Sequence, residues 1–212
     1  NKLAHPDLHF AFPVIKLKNK DTVSDDFLTL WREMLQNTPY FNMNIWLEQM
    51  SAENQQAQIF VKESEEIVRK LNLKPSQGGY KIMIIWLPEK MNAECSNKLL
   101  KLLEKKKKKT IFLLVSEEPD ALLTTIQSRT QRFKIPGIGD NDIATTLVRK
   151  YGIEEKAAVN IAHRSEGNWI KALETIHTNE ESKLFFELFV SLMRLAYQRK
   201  IREMKQWSET LA

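Results

Sequence analysis

Two short apolar runs, separated by an amphipathic segment, constrain the fold of this chain most strongly. The runs are Ile82–Trp86 and Ile111–Val115, and between them leucines recur at helical spacing across residues 93–104. Asn92 precedes that segment as a helix-capping residue. Runs of five apolar residues suit strands buried on both faces of a sheet, and a helix between two strands suits a parallel crossover. The sequence therefore predicts an α/β fold with a parallel sheet, whose second buried strand covers residues 110–116.

The segments on either side extend this layer. Residues 8–17 are apolar and β-branched enough for a further strand, and residues 131–135 are predicted as a third buried strand. Residues 21–54 are predicted as a helical insertion that packs on the sheet. Residues 61–73 are predicted as an amphipathic helix with Glu63 on its outer side.

After Pro136 the pattern becomes wholly helical. Three short helices are predicted at residues 140–151, 154–165 and 168–177, followed by one long helix at residues 180–207 with a wide apolar face. We therefore expect an α/β domain at 1–136, a small three-helix domain at 137–179 and the start of a further helical domain at 180–212.

Composition excludes several classes of protein. No apolar stretch approaches the roughly 20 residues that a membrane-spanning helix needs. Cys95 is the single cysteine, which excludes an internal disulfide or a cysteine-cluster metal site and favours a reducing, cytoplasmic setting. His5 and His9 would lie about 13 Å apart on a strand, too far to share a metal ion, so no metal site is expected. The first residues read like the interior of a domain, and we expect a portion of the protein to precede them.

Six motifs, in a fixed order, carry a family resemblance. They are HPDLHF at 5–10, KIMIIW at 81–86, NKLLKLLE at 97–104, TIFLLVS at 110–116, SRT at 128–130 and SEGNWIKAL at 165–173. Together they resemble the clamp-loader branch of the AAA+ proteins, and within it the delta-prime subunits of bacterial DNA polymerase III. The resemblance implies a partial AAA+ (P-loop NTPase-like) parallel sheet, then a small all-α lid domain and a long collar helix.

Three positions depart from the ATP-hydrolysing members of that family. Trp86 and Leu87 stand where those members have an Asp and a Glu, and Ile170 stands where a lid-domain arginine would touch the γ-phosphate. Neither an indole nor an isobutyl group can hold magnesium. The resemblance therefore implies no intrinsic ATPase activity and no cofactor within these residues. The alternative is an active gamma/tau-type ATPase whose phosphate-binding loop lies upstream of Asn1.

The Ser-Arg-Thr motif resembles the Ser-Arg-Cys motif of the family, with Thr130 in the place of the cysteine. The resemblance implies that Arg129, beside Ser128, projects across a subunit interface and stabilises charge on a neighbour's γ-phosphate. Such an arginine finger in trans contributes about 10³ to 10⁵ in rate. The implied partners are the gamma/tau and delta clamp-loader subunits, and through the complex the sliding clamp and primed DNA.

A run of five lysines, Lys105, Lys106, Lys107, Lys108 and Lys109, accounts for all of the formal net charge of +5. It is compatible with contact to DNA phosphates, which would be salt-dependent and independent of sequence. It is also compatible with a solvated turn whose cations lie favourably at a helix C-terminus. No aromatic residue interleaves with the lysines, so base stacking is not supported. A stand-alone nucleic-acid-binding adaptor is the third alternative for the chain.

Overall fold

The computed structural model describes residues 3–17, 21–76, 79–105 and 109–209, without the side chains of residues 178–184, 206, 208 and 209. The chain divides into two compact units, Asn1–Lys134 and Ile135–Ala212. Among the described residues, none of the helices is both long enough and apolar enough to cross a membrane.

The first unit contains a three-stranded parallel sheet. Its strands are β1 (Leu8–Ala11), β2 (Lys81–Trp86) and β3 (Thr110–Val115), in the order β1-β2-β3. The predicted α/β fold with a parallel sheet is confirmed. Strand β1 is shorter than predicted: it ends two residues before Pro13, which has no N–H to donate to a ladder. Val14 instead forms an isolated antiparallel bridge with Gln58.

Helices flank the sheet in the first unit. They are α1 (Leu28–Asn37), α2 (Met43–Gln49), α3 (Val61–Asn72), α4 (Ala93–Glu104) and α5 (Thr124–Gln127), with 3₁₀ turns at Ser24–Phe27, Pro88–Lys90 and Pro119–Ala121. The side chain of Asn42 accepts the N–H of Ile45 at 3.0 Å, and that of Asn92 accepts the N–H of Cys95 at 2.8 Å. These contacts satisfy N–H groups at the starts of α2 and α4 that have no partner within the helix.

Alternate residues of β2 belong to two different hydrophobic clusters. Ile84 and Trp86 pack in an aromatic cluster with residues of β1, α1 and α2, whereas Met83 and Ile85 pack with α3 and α4. Because successive side chains of a strand point to opposite faces, the two clusters cover opposite faces of the sheet. The helices of residues 21–54 therefore pack on one face of the sheet, as expected.

Two predictions about strands are wrong. Residues 131–135 form no strand: in the described part of the chain no strand runs beside them, and Phe133 and Ile135 are exposed. Strand β3 is not buried on both faces: Phe112 and Leu114 are partly buried on one face, and Ile111, Leu113 and Val115 are 41–47% exposed on the other. The aromatic cluster on that face includes residues of β1 and β2 but none of β3.

Four of the described charged residues of the first unit are buried, namely Asp7, Glu63, Lys70 and Lys81. Glu63 and Lys81 each connect α3 to another element. Lys81 begins β2, and its Nζ donates to the carbonyl oxygens of Lys70 at 3.0 Å, Leu71 at 3.3 Å and Leu73, at the end of α3. Glu63, predicted on the outer side of α3, is buried instead. Its Oε2 accepts the N–H of Ser24 at 2.6 Å, so the carboxylate joins α3 to the 3₁₀ turn that precedes α1. Burial raises the pKa of Glu63.

All the regular elements described in the second unit are helices. Its helices are α6 (Asp140–Tyr151), α7 (Glu155–Ser165), α8 (Trp169–Tyr197) and α9 (Ile201–Glu209), and α6, α7 and the start of α8 enclose a small apolar core. The predicted separation of residues 168–177 from a long helix at 180–207 is wrong. No glycine or proline interrupts residues 169–197, so one helix runs through them. The helical path breaks after Tyr197, where Arg199 adopts a φ of 53°.

Candidate functional site

The carboxyl end of β2 holds Trp86 and Leu87, the two residues predicted to stand at the positions of an acid pair. Trp86 is 6% exposed, and its ring centroid lies 5.2 Å from that of Trp31 and 5.1 Å from that of Phe41. Leu87 is 2% exposed, has a φ of 51°, and donates its N–H to the carbonyl of Val115 at 2.8 Å. Both positions are therefore filled by buried hydrocarbon that is part of the aromatic cluster.

Acidic residues follow the carboxyl ends of β2 and β3 at Glu89, Glu117 and Glu118. The next acidic side chain along the chain, Glu89, uses Oε1 to accept the N–H groups of Glu117 and Glu118 at 2.9 and 3.1 Å. Glu89 thus holds the loop that follows β3. Within the described residues, no group of three His, Cys, Asp or Glu side chains is arranged to hold a metal ion.

Arg129 lies in the turn that follows α5 and is exposed. Its Nη2 lies 3.0 Å from Oε1 of Glu104, the last residue of α4. Its Nη1 donates to the carbonyl of Thr125 at 2.9 Å and reaches Oγ of Ser128 at 3.4 Å. The guanidinium is therefore fixed at the surface by one ion pair and by contacts within its own turn.

The neighbours of Arg129 close that turn. The hydroxyl of Ser128 donates to the carbonyl of Thr125 at 3.1 Å, and that of Thr130 contacts the carbonyls of Ile126 and Gln127 at 3.1 and 3.2 Å. Ile126 itself is buried among α3, α4 and β2 side chains. Ser128 and Thr130 therefore satisfy carbonyls at the end of a helix of four residues, and Ile126 anchors that helix to the core.

Topology separates Arg129 from the Trp86 position. Helix α4 starts after β2 ends and leads back toward the start of β3, and its 12 residues span about 18 Å. Glu104 therefore lies near the edge of the sheet where strands begin, whereas Trp86 lies where β2 ends. Because Arg129 pairs with Glu104, it is placed away from the end of β2 of its own chain.

Only part of the lysine run can be located. Lys105 follows α4, and Lys109 adopts a φ of 61° while its carbonyl accepts the N–H of Lys81 at 2.8 Å. Lys106, Lys107 and Lys108 lie outside the described residues. Contact of this run with DNA phosphates stays a prediction.

Ile170 is the second residue of α8, in the second unit, and is partly buried. Its backbone N–H donates to Oδ1 of Asn168 at 3.0 Å, which caps the helix. A hydrocarbon side chain at this position carries no positive charge toward a phosphate. That Ile170 stands at the position of the lid-domain arginine of the ATP-hydrolysing members stays a prediction.

Cys95 occupies the first turn of α4 and is fully buried. Burial raises the pKa of its thiol to about 12. A thiol with so high a pKa remains protonated at neutral pH, and the thiolate is the nucleophilic form. Cys95 therefore does not supply a nucleophile in the folded chain.

Sequence reasoning did not identify Glu104 as the partner of Arg129. The two residues are separated by a strand and a short helix, and an exposed glutamate at a helix end gives no signal of such a pairing. The negative end of the helix dipole is the one available hint, because a carboxylate there favours a nearby cation.

Comparison with known proteins agrees with the resemblance. The family described as "DNA polymerase III, delta subunit" matches residues 2–139. The delta' subunit of Pseudomonas aeruginosa DNA polymerase III is 42% identical over 62 residues, which cover 28% of this chain and 19% of that protein. The Haemophilus influenzae delta' subunit is 29% identical over 115 residues, 53% of this chain and 35% of that protein.

The tau/gamma subunit of the Haemophilus influenzae enzyme also matches, at 26% identity over 113 residues, which cover 51% of this chain and 16% of that protein. The chain thus spans less than half the length of these curated relatives. The family match, in contrast, extends over more than half of the chain itself. The chain therefore belongs to the clamp-loader-type family described as DNA polymerase III, delta subunit.

Proposed function

We propose that this protein is a non-hydrolysing, delta-prime-type subunit of the bacterial replicative clamp loader. In this role it helps to open the sliding clamp and load it on primed DNA, and it donates Arg129 to the ATPase site of a neighbouring subunit. The observation that carries the proposal is the burial of Trp86 and Leu87 at the two acid positions.

The two positions lack carboxylates and, because Trp86 and Leu87 are buried, they are also closed to water and metal. Phosphoryl transfer needs a carboxylate for magnesium and a group that orients the attacking water. Here the indole of Trp86 packs between Trp31 and Phe41. Water and metal at that point would have to displace a packed aromatic cluster, so the chain does not perform the chemistry itself.

Arg129 supports a role in trans. It is exposed on a turn anchored by Ile126, and it lies toward the edge of the sheet where strands begin. A guanidinium there is poorly placed for a site at the end of its own β2 but is available to an adjacent subunit. Its planar fork of N–H donors matches the oxygens of a phosphate, which a lysine ammonium cannot reproduce.

The partners in this proposal are the gamma/tau and delta subunits, with the clamp and primed DNA reached through the complex. Residues 137–179 would serve as a lid domain and residues 180–212 as the start of a collar. The exposed side chains of Phe185 and Phe189 on α8 suit burial in an oligomer. Helix α8 crosses the boundary between the two, so lid and collar would share one rigid element.

The alternative function is an active gamma/tau-type ATPase with an upstream phosphate loop, and the match to a tau/gamma subunit keeps it in view. Steady-state ATP hydrolysis by the purified full-length protein, with primed DNA and clamp present, separates the two. We expect no turnover above background, and turnover once gamma/tau subunits are added. ATP hydrolysis that stays with the isolated protein through gel filtration, and that changes in a Trp86→Phe variant, would favour the alternative.

A further inference from the structure

Arg129 is held within its own subunit by an acidic competitor for its guanidinium. The Nη2 atom lies 3.0 Å from Oε1 of Glu104, while Nη1 is engaged by the carbonyl of Thr125 and by Oγ of Ser128. Both terminal nitrogens thus have partners before any phosphate approaches. The first of those partners carries a full negative charge.

The position of Glu104 explains why it needs a cation. It is the last residue of α4, where the carbonyl groups of the helix point outward and make a carboxylate unfavourable. The guanidinium of Arg129 reaches it from the turn after α5 and offsets that unfavourable placement. The pair also connects the end of α4 to the turn that carries the Ser-Arg-Thr motif.

We propose that Glu104 acts as a latch: its carboxylate holds the Arg129 guanidinium against its own subunit. An anionic group of a neighbouring subunit then displaces this carboxylate from the guanidinium. This inference rests on the function proposed above. A phosphate bound to the same Nη2 would lie within a few ångströms of the Glu104 carboxylate, and two anions at that separation repel each other. The carboxylate must therefore move away when Arg129 engages a triphosphate.

Because both side chains are partly exposed, the ion pair between Arg129 and Glu104 is weak. The Arg129 and Glu104 side chains are 39% and 46% exposed, and ion pairs of that exposure shift an equilibrium by about fivefold at most. A triphosphate carries several negative charges and can compete with one such carboxylate. Glu104 thus tunes the availability of Arg129 and does not block it.

The test uses full-length protein in a reconstituted clamp-loader complex in which the ATPase site next to this subunit is the active one. Glu104→Gln keeps the shape of the side chain and removes its charge. We expect DNA-stimulated kcat to rise about twofold to fivefold at low ionic strength. The rise should shrink as salt is added, because screening already weakens the exposed ion pair in the wild type.

Glu94→Gln is the matched control. It makes the same change of charge on the same helix, in the first turn instead of the last, where Glu94 pairs with Lys98 at 3.5 Å. We expect the Glu94→Gln complex to hydrolyse ATP at the wild-type rate. An equal rise in both variants would mean that net charge, not the latch, sets the rate, and would overturn the inference.

The double variant separates this inference from the function on which it rests. If Arg129→Ala lowers hydrolysis and Glu104→Gln has no further effect in that background, the two residues act together as proposed. If Arg129→Ala lowers hydrolysis but Glu104→Gln alone leaves it unchanged or lowers it, the latch is wrong and the finger stands. If Arg129→Ala has no effect, the proposed function itself is wrong.

Discussion

Replacing Trp86 by alanine tests whether the position proposed to correspond to a catalytic acid is part of the core. The side chain is almost fully buried, and its ring lies against those of Trp31 and Phe41. A buried tryptophan removes up to about 250 Å² from water, which at about 25 cal/mol per Å² gives roughly 6 kcal/mol as an upper bound. Large-to-small substitutions of aromatic core residues typically cost about 3–5 kcal/mol.

We therefore expect Trp86→Ala to lower the free energy of unfolding of the first unit by about 3–5 kcal/mol. Urea denaturation followed by near-ultraviolet circular dichroism measures this, because Trp31 and Trp46 remain in the same aromatic cluster as reporters. The transition midpoint should move to lower urea. Phe133→Ala is the control, since this aromatic residue is 76% exposed and its loss should change stability by less than about 0.5 kcal/mol.

Trp86→Asp introduces at this position the acid that the ATP-hydrolysing members are proposed to have there. It should destabilise the unit at least as much as alanine does, because it places a carboxylate in an aromatic cluster. It should also give no ATP hydrolysis. A loss of less than about 1 kcal/mol for Trp86→Ala, similar to the control, would refute the argument that packing replaced catalysis at this position.

Three further changes test other parts of the account. Burial raises the pKa of Glu63 above the ordinary 4.5, so the folded state keeps the carboxyl proton to higher pH than the unfolded chain does. The free energy of unfolding therefore falls as pH rises above about 4.5. Glu63→Gln should reduce that fall in urea titrations at successive pH values, and an unchanged pH profile would contradict the assignment. Gly167→Ala should cost about 2 kcal/mol or more in thermal unfolding, because φ is +79° and the new Cβ would lie 2.8 Å from Cα of Gly137. Gly152→Ala has a similar φ of +65° but open space, so its cost should be about 1 kcal/mol, and equal losses would mean that the contact is unimportant. Phe189→Glu should abolish incorporation into the complex in gel filtration without altering the fold, and normal incorporation would exclude α8 from the collar.

Local patterns were sufficient where the structure depends on neighbouring residues. The boundaries of β2 and α4 follow from an apolar run and from the Asn92 cap, both of which act within a few residues. The end of α6 at Gly152 follows from the left-handed conformation that glycine adopts easily. These elements could be predicted from the sequence because each depends on residues that are close to it along the chain.

Apart from the division of α8, which residues 169–197 gave no local reason to expect, the wrong predictions concern non-local pairing. Residues 131–135 have the composition of a strand, but a strand also needs a neighbour with free N–H and carbonyl groups. Glu63 has the character of a surface residue, yet it is buried because the N–H of Ser24, 39 positions away, requires an acceptor. The partner of Arg129 was missed for the same reason. Such contacts depend on how elements pack, which residue spacing does not reveal.

Single-turnover hydrolysis tests most directly whether Arg129 acts on the ATP of a neighbouring subunit. The measurement uses a reconstituted complex in which only the ATPase site beside this subunit is active. Arg129→Ala should leave assembly intact and lower the single-turnover rate by about 10³ or more, with Arg129→Lys restoring little of it. Arg132→Ala, three residues away and 65% exposed beside Asp120, should hydrolyse ATP at the wild-type rate. A wild-type rate for Arg129→Ala in a normally assembled complex would contradict the account.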